Sequence, residues 1–306
     1  MAIFSSALAR RVIASAQRRE IFKHLLIAPP LLFFGAFAIF PLLFTLWVSL
    51  NFWPVGGEHR FIALANYQHI LSDFSFRTSL RNNILYPLIA VPLEYALGFG
   101  VALLINQMTR GQRLIRLIAF MPMMLTPIVV GFIWKMLFYP TYGPIDFVLW
   151  RLGLPKVDWI TNASAAFASI VITDIWQWTP FIILIMLGGL RSLPVEPFES
   201  ARVDGASSWR IFWDVTFPML LPYSIAAIVL RSIEAFKLFD IVLLISGGGP
   251  GVSTATTTLI AYFTSFRTGN MGPAAAMSVL LLIIVIVFSM TFLRITQWVL
   301  AHSGRV

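Results

Sequence analysis

The sequence predicts an all-α integral membrane protein with six transmembrane helices. Its hydrophobic fraction is 58% and its charged fraction is 11%, whereas soluble globular domains have about 45–50% and about 25%. Crossing the hydrocarbon of a bilayer takes about 20 mostly apolar helical residues. Six blocks meet this length, at approximately 25–50, 82–105, 114–138, 166–190, 218–244 and 273–298.

The residues before the first block form a basic arm. Residues 1–24 hold several arginines against one acidic residue, Glu20, and we interpret them as a cytoplasmic arm on the membrane surface. The block that follows is too long for a signal-peptide core and has no small-residue cleavage site after it. We therefore expect a six-span domain at 25–298 and a short tail at 299–306.

The charge distribution predicts the orientation of this domain. Six spans place both termini on one side, and most Lys and Arg residues lie in or beside 1–24, 106–113, 191–217 and the tail. Because cytoplasmic loops are enriched in these residues, we predict that both termini are cytoplasmic. The same bias accounts for the net charge of +9 without a nucleic-acid partner.

Prolines fall inside many of the predicted spans, among them Pro87, Pro92, Pro122 and Pro180. An internal proline removes a backbone hydrogen bond and kinks a helix, which membrane helices tolerate when neighbours satisfy the freed carbonyl. Kinked helices are typical of transporters that rearrange, but proline is also common in membrane helices in general. The prolines alone leave both interpretations open.

The polar segment 191–217 predicts a helix and a turn. Pro197 suits the first turn of a helix, and Glu196 and Glu199 lie near its positive end. Gly205 reads as the stop of this helix, because glycine readily takes the left-handed conformation found after helix ends.

A second helix is predicted directly after that turn. Ser207 or Ser208 can cap a helix that begins near Trp209. Pro218 and Pro222 follow at the entry to the fifth span. The whole segment is therefore a helix–turn–helix elbow, whose small residues would allow another protein to approach closely.

The elbow also carries the pattern Glu-x-Ala-x-x-Asp-Gly-Ala, followed by Phe-Pro-x-x-x-Pro. This pattern resembles the conserved cytoplasmic loop of permeases in binding-protein-dependent ABC importers, which docks into a groove on the ATP-hydrolysing subunit. The alternative is an ordinary polar loop, which would seldom combine these residues. The family usually shows Glu-Ala-Ala at the start of this pattern, and this chain has a serine of similar size in the middle. The resemblance assigns ATPase coupling to Glu199, Ser200, Ala201, Asp204, Gly205, Ala206, Pro218 and Pro222.

Further segments resemble the carbohydrate-uptake branch of the same family. They lie at 61–67, 79–83, 176–181, 234–240 and 247–251. The length of the chain and the tail after its last span resemble the first permease of a heterodimeric pair. The resemblance implies an inner-membrane location, a second permease, an extracytoplasmic solute-binding protein and a sugar or sugar-derived solute. It also implies two ATPase subunits that bind ATP and Mg²⁺, so that this chain is not an enzyme and needs no cofactor of its own.

Charged residues inside the fifth block raise the question of a solute path. Arg231, Glu234, Lys237 and Asp240 follow one another at three-residue spacing with alternating sign, and such neighbours lie side by side on a helix. Charges at this depth are costly unless they pair or face a wet cavity. The ladder therefore either lines the path or joins the fifth span to its neighbours.

Aromatic and polar residues mix in the fourth block. Rings stack on the apolar faces of sugars, and amides or carboxylates bind their hydroxyl groups. The alternative is an interfacial aromatic belt, although a belt does not need Asp174. Glu94 in the second block is interpreted as a hydrogen bonder between helices. The predicted path residues are Asp174, Trp176, Gln177, Trp178, Glu234, Phe236, Lys237 and Asp240.

Two other function classes remain as alternatives. An integral-membrane enzyme would need clustered catalytic groups, but the histidines are scattered at His24, His59, His69 and His302, and the chain has no cysteine. An ion-driven secondary transporter would leave the elbow unexplained. The glycine-rich segment 247–251 lacks the lysine of a nucleotide-binding loop, and we expect it to end the fifth span and face the binding protein. The sequence does not distinguish which sugar is carried.

Overall fold

The computed structural model describes residues 26–302. The basic arm expected at 1–24 and the last four residues lie outside this range. The helices are α1 Leu26–Ser49, α2 Ala65–Ser72, α3 Phe74–Gln107, α4 Gln112–Met124, α5 Pro127–Leu137, α6 Pro144–Arg151, α7 Ala163–Ser192, α8 Glu196–Val203, α9 Ser208–Phe236, α10 Asp240–Ile245, α11 Thr257–Phe266 and α12 Met271–His302, and the strands are β1 Asn51–Phe52 and β2 Arg60–Phe61.

Five of these helices are long and apolar enough to cross a membrane: α1, α3, α7, α9 and α12. The third predicted span, 114–138, is instead the pair α4 and α5, which meet at an angle of 96°. The predicted span is therefore present as a bent pair of helices rather than as one straight helix. Pro127 explains the break, because proline disfavours the helical conformation of the residue before it, and Thr126 is extended with ψ of 143°.

The fifth predicted span, 218–244, is also broken. Helix α9 begins earlier, at Ser208, and ends at Phe236, and α10 starts after a short irregular segment. The Asn83 Nδ2 donates to the Phe236 carbonyl at 2.6 Å, and the Thr256 Oγ1 donates to the Leu238 carbonyl at 2.9 Å. A membrane helix is interrupted only where neighbours satisfy the freed backbone groups, and these two side chains do so.

Helices α3 and α7 form the centre of the bundle, with α9 packed against both. Their contact is close because Gly98 has no side chain, and a Cβ there would lie 2.6 Å from the Cβ of Ile182. Two apolar clusters lie at different levels along these helices. One contains Tyr86, Ala90, Ile170, Val171 and Ile241, and the other contains Phe99, Ala102, Ile105, Ile182, Met186 and Leu220.

The end of α1 and the start of α12 meet at one end of the bundle, which we call the distal end. The Asn66 Nδ2 donates to the carbonyls of Ser49 and Asn51 at 2.8 and 2.9 Å. Gly272 packs so tightly against this point that a Cβ would lie 2.3 Å from the Asn51 oxygen. The two-stranded ribbon β1–β2 lies here as well, a small departure from the predicted all-α class.

We predict that Gly98→Ala destabilises the bundle and that Gly100→Ala does not. The added methyl group at Gly98 would overlap Ile182, and such overpacking costs about 1–3 kcal/mol. Gly100 is in the same helix and has open space around its Cβ position. The measurement is the thermal unfolding of each purified variant in detergent. Equal unfolding temperatures for the two variants would contradict the close α3–α7 contact.

Candidate functional site

The elbow begins with α8, which ends in a tight backbone turn. Gly205 has φ of +74°, the left-handed conformation that glycine adopts without a steric penalty. The Gly205 N–H donates to the Arg202 carbonyl at 3.0 Å, and the Ala206 N–H donates to the Ala201 carbonyl at 2.9 Å. These two bonds form a Schellman motif, and they confirm the predicted stop at Gly205.

The second helix of the elbow is the start of α9. The Ser207 Oγ accepts from the Arg210 N–H at 3.3 Å, so that Ser207 is the cap of the two serines considered. A π-helical turn at Phe212–Thr216 joins this first turn to the long regular part of α9. The elbow therefore continues directly into a long membrane-type helix.

The surface of the elbow exposes apolar side chains. Val203 is 88% exposed, Trp209 is 71% exposed and Val195 is 61% exposed. The elbow also lines a cavity of about 440 Å³, whose lining includes Val195, Asn106 and Phe198. Contiguous exposed apolar residues with polar neighbours mark interaction surfaces, and the elbow has this character.

Three charged side chains from three helices meet in the centre of the bundle. Arg231 of α9, Glu94 of α3 and Asp174 of α7 are each at most 2% exposed. The Arg231 Nε donates to Glu94 Oε2 at 2.6 Å, and its Nη2 donates to Glu94 Oε1 at 2.8 Å. The same Nη2 donates to Asp174 Oδ2. We call these three residues the charge cluster.

The charge cluster is flanked by an aromatic ring. The Arg231 Cζ lies 5.1 Å from the centre of the Trp178 ring, within the range of a cation–π contact. The bidentate bond to Glu94 has fixed geometry, and it confirms the predicted role of Glu94 as a hydrogen bonder between helices. The cluster therefore joins α3, α7 and α9 at one level of the bundle.

The predicted charge ladder does not form as one series. Arg231 pairs across helices with Glu94 and Asp174 rather than with Glu234. Lys237 and Glu234 pair with each other at 2.7 Å, and both are exposed. Asp240 lies in the first turn of α10, beyond the break. The pairing of Arg231 agrees with the alternative that the charged residues join the fifth span to its neighbours. Pairing in series at three-residue spacing is limited to Glu234 and Lys237.

The other predicted path residues lie in different surroundings. Trp176 is 38% exposed, and its ring lies 5.7 Å from that of Trp134 in α5. Phe236 is 3% exposed and packs against Phe288, with ring centres 5.1 Å apart. Of the eight residues, Trp176, Glu234 and Lys237 are exposed, Trp178 and Asp240 are half-buried, and Asp174, Gln177 and Phe236 are buried.

Gln177 lies at the break between α4 and α5. Its Nε2 donates to the Leu125 carbonyl at 3.3 Å, one of the carbonyls that the break leaves without a helical partner. The Gln177 Oε1 and the Asp174 Oδ1 are buried and accept no hydrogen bond within residues 26–302. Two acceptors with unused capacity therefore lie one turn apart on α7.

Two adjacent asparagines of α3, which belong to the segment 79–83 that resembles the carbohydrate-uptake branch, have a structural role that the sequence analysis did not assign. The Asn82 Nδ2 donates to the carbonyls of Ser253 and Ala255, each at 2.9 Å. The Asn83 Oδ1 accepts from the Thr257 N–H at 2.6 Å. They hold the segment after the glycine-rich turn against α3 at the distal end. In the sequence, this role is indicated only by two adjacent amide side chains at the edge of an apolar block.

A family described as "Binding-protein-dependent transport system inner membrane component" matches residues 95–300, which include the elbow and, of the charge cluster, Asp174 and Arg231. The chain belongs to this family. It is therefore a component of a membrane transport system.

Named relatives extend the similarity over most of the chain. The trehalose/maltose transport system permease protein MalF of Thermococcus litoralis is 34% identical over 279 residues, covering 90% of this chain and 93% of the relative. The sulfoquinovosyl glycerol transport system permease protein SmoG of Agrobacterium fabrum is 33% identical, covering 89% of each chain. Both are named as permeases rather than as ATPases, in agreement with the prediction that this chain is not an enzyme.

A solved structure shares the fold. A chain of a bacterial alginate ABC transporter, crystallised with its pentasaccharide-bound periplasmic protein, superposes with a TM-score of 0.82. The match covers 92% of this chain and 96% of that chain, at 16% sequence identity. The two chains therefore share the fold of the helical bundle.

We predict that Arg231→Gln strongly destabilises the bundle, whereas Lys237→Gln does not. Removing Arg231 leaves two buried carboxylates uncompensated, which costs about 3–5 kcal/mol. The Lys237–Glu234 pair is 56% and 48% exposed, and exposed pairs contribute about 0–1 kcal/mol. Thermal unfolding of the purified variants measures both. Similar unfolding temperatures for both variants would show that the charge cluster does not hold the helices together.

Proposed function

We propose that this chain is the permease subunit of an ABC importer for a sugar or sugar-derived solute. With a second permease it forms the translocation path, and ATP hydrolysis on two separate ATPase subunits drives transport. The elbow is the observation that carries this proposal. Its exposed helix α8 ends in a rigid turn, and it lies directly between two long membrane helices.

The proposal places the elbow in the cytoplasm. With α4 and α5 counted as one bent span, the chain crosses the membrane six times and both termini are cytoplasmic. The meeting of the α1 end and the α12 start at the distal end supports this arrangement, since both helices then run back to the elbow side. The arginine-rich loops at 106–113 and 191–217 lie at that side, as cytoplasmic loops do.

Coupling in this proposal begins at α8. Glu199, Ser200, Ala201, Asp204, Gly205 and Ala206 form the part of the elbow that the ATPase subunit contacts, and Pro218 and Pro222 lie in the helix that follows. A force that the ATPase subunit applies to α8 is transmitted to α7 and α9 through the short connecting segments. Because the charge cluster joins these two helices to α3, the force moves α3, α7 and α9 as one body. The two breaks, at Thr126 and at Lys237, are the points where the outer parts of the bundle bend relative to that body.

The solute path in this proposal passes the breaks. Helices α5 and α10 pack on each other there through Gly131, whose Cβ would lie 3.1 Å from Leu244. Trp176 offers an exposed ring beside α5, and Glu234 and Lys237 offer exposed charged groups beside the second break. Sugar hydroxyl groups are hydrogen-bond donors, which suits the unused acceptors of Asp174 and Gln177. Trp178, Phe236 and Asp240 complete the predicted set and position these groups.

The relatives support the solute class. Their names refer to trehalose, maltose and sulfoquinovosyl glycerol, which are all sugars or sugar derivatives. The extracytoplasmic binding protein would deliver the solute to the distal end. There, a cavity of about 760 Å³ opens between α3, α7 and the glycine-rich turn.

We predict that Gly205→Val uncouples ATP hydrolysis from uptake, whereas Gly153→Val leaves uptake unchanged. Both glycines have φ of +74° and open space around the Cβ position. A left-handed residue with a Cβ costs about 1–2 kcal/mol, which corresponds to about a tenfold change in an equilibrium. Only Gly205 is in the elbow, so that only its strain should reach the ATPase contact.

Solute-stimulated ATP hydrolysis and uptake by the reconstituted importer measure this difference. The family assignment does not depend on the result. Normal coupling in Gly205→Val, with the variant correctly assembled, would remove the elbow turn from the mechanism.

We predict that Trp176→Ala raises the solute concentration needed for half-maximal uptake about two- to tenfold, as expected for the loss of about 0.5–1.5 kcal/mol of ring contact. Phe37→Ala is the matched control, because Phe37 is 70% exposed on α1, away from both breaks. Uptake of labelled solute by the reconstituted importer is the measurement. Unchanged uptake by Trp176→Ala would exclude this ring from the path.

A further inference from the structure

The start of α4 gathers arginines without acidic partners. Arg116 Nη2 and Arg191 Nη2 both donate to Gln112 Oε1, the second at 2.8 Å. Arg110 and Arg113 are exposed beside them. None of these four guanidinium groups has a carboxylate within 4.0 Å among residues 26–302. Two cations therefore share one neutral oxygen, an arrangement that an anion would stabilise.

The backbone at this point also favours an anion. Gly111 precedes α4 and provides no side-chain cap, and the first turn of α4 contains no acidic residue. Helix N-termini carry a partial positive charge and free N–H groups. The first turn instead holds Arg113, which has the unfavourable sign for that position. The arginine side chains and the N-terminus of α4 therefore both contribute positive charge at this point.

An apolar surface continues from the arginines along α4. Leu114, Leu117, Ile118 and Met121 share one face of the helix, and each is more than half exposed. A soluble anion such as free phosphate would use the arginines but not this face. A lipid uses both, because its headgroup is charged and its acyl chains are apolar.

We propose that the α4 start binds the phosphodiester headgroup of an anionic lipid. Arg116 and Arg191 lie closest to the phosphate, and Arg110 and Arg113 surround it. The acyl chains lie along the exposed face of α4. Guanidinium groups bind phosphate oxygens with charge-assisted hydrogen bonds, and basic residues at a membrane surface attract anionic lipids. The site lies at the end of α7 that leads into the elbow. The bound lipid would therefore stabilise α7, the helix to which a force on α8 is transmitted.

The test is lipid retention by the assembled importer. The importer is extracted from nanodiscs of equal phosphatidylglycerol and phosphatidylcholine, and the retained lipids are counted by native mass spectrometry. Wild type should retain phosphatidylglycerol in preference to phosphatidylcholine. Arg110→Gln with Arg113→Gln should lower this retention by about fivefold per arginine. These two side chains make no hydrogen bond or ion pair within residues 26–302, so that the variant should fold normally.

Two further variants sharpen the result. Gln112→Glu places a carboxylate between Arg116 and Arg191, where it should displace the lipid without the loss of any arginine. The exchange also removes the bonds that Gln112 Nε2 donates to the Ile105 and Met108 carbonyls, so that the thermal unfolding of this variant is compared with that of wild type. Arg210→Gln is the control, because it removes one positive charge at the same end of the bundle from a side chain that pairs with Asp214 at 3.3 Å. This control should retain as much phosphatidylglycerol as wild type.

Three outcomes would overturn the proposal. The first is equal retention of both lipids by wild type, or unchanged retention by the Arg110 and Arg113 double variant. The second is tight binding of inorganic phosphate by lipid-free importer in detergent, which would assign the site to a soluble anion. The third is an efficient crosslink from Leu117→Cys to the second permease, which would show that a protein covers the apolar face.

Discussion

The burial of Arg231 is the constraint on which the rest of the bundle depends. Its guanidinium group lies between the carboxylates of Glu94 and Asp174, with only 1% of its side chain exposed, and it is stable there only while α3, α7 and α9 keep their relative positions. Apolar clusters lie on both sides of this level along α3 and α7. We therefore propose that the three helices move as one body and that movement during transport occurs elsewhere.

In this proposal, the two breaks in the membrane helices allow the movement. Helix α4 gives way to α5 at Thr126, and α9 gives way to α10 at Lys237, and in both places a side chain from a neighbouring helix takes up a freed carbonyl. Each break is thus hydrogen-bonded rather than simply disordered, and it can serve as a hinge. The outer helices α5 and α10 contact each other across Gly131. A rigid body of three helices with a hinged outer pair is a suitable arrangement for a path that opens alternately to each side.

The helix ends and turns were the features that could be predicted most accurately from the sequence. Pro197, Gly205 and Ser207 define the elbow through interactions between near neighbours in the chain, and the structure has each of them where the sequence predicts. The pairing of Arg231 could not be predicted from the sequence, because Glu94 and Asp174 are 137 and 57 residues away in the chain. Glu234 is a closer candidate along the helix. The break at Lys237 was missed for a similar reason. It is stabilised by Asn83 and Thr256, which come from elsewhere in the chain, and apolar residues continue on both sides of it.

Transmission of force through the elbow is the central claim, and a single cysteine tests it directly. The chain has no cysteine, so that Val203→Cys places the only thiol of this subunit on α8, at a side chain that is 88% exposed. The account predicts that this thiol crosslinks to an ATPase subunit in the assembled importer and does not react with a membrane-impermeant reagent added outside intact cells. Labelling from outside, or a thiol that contacts no ATPase subunit in the assembled complex, would contradict the account.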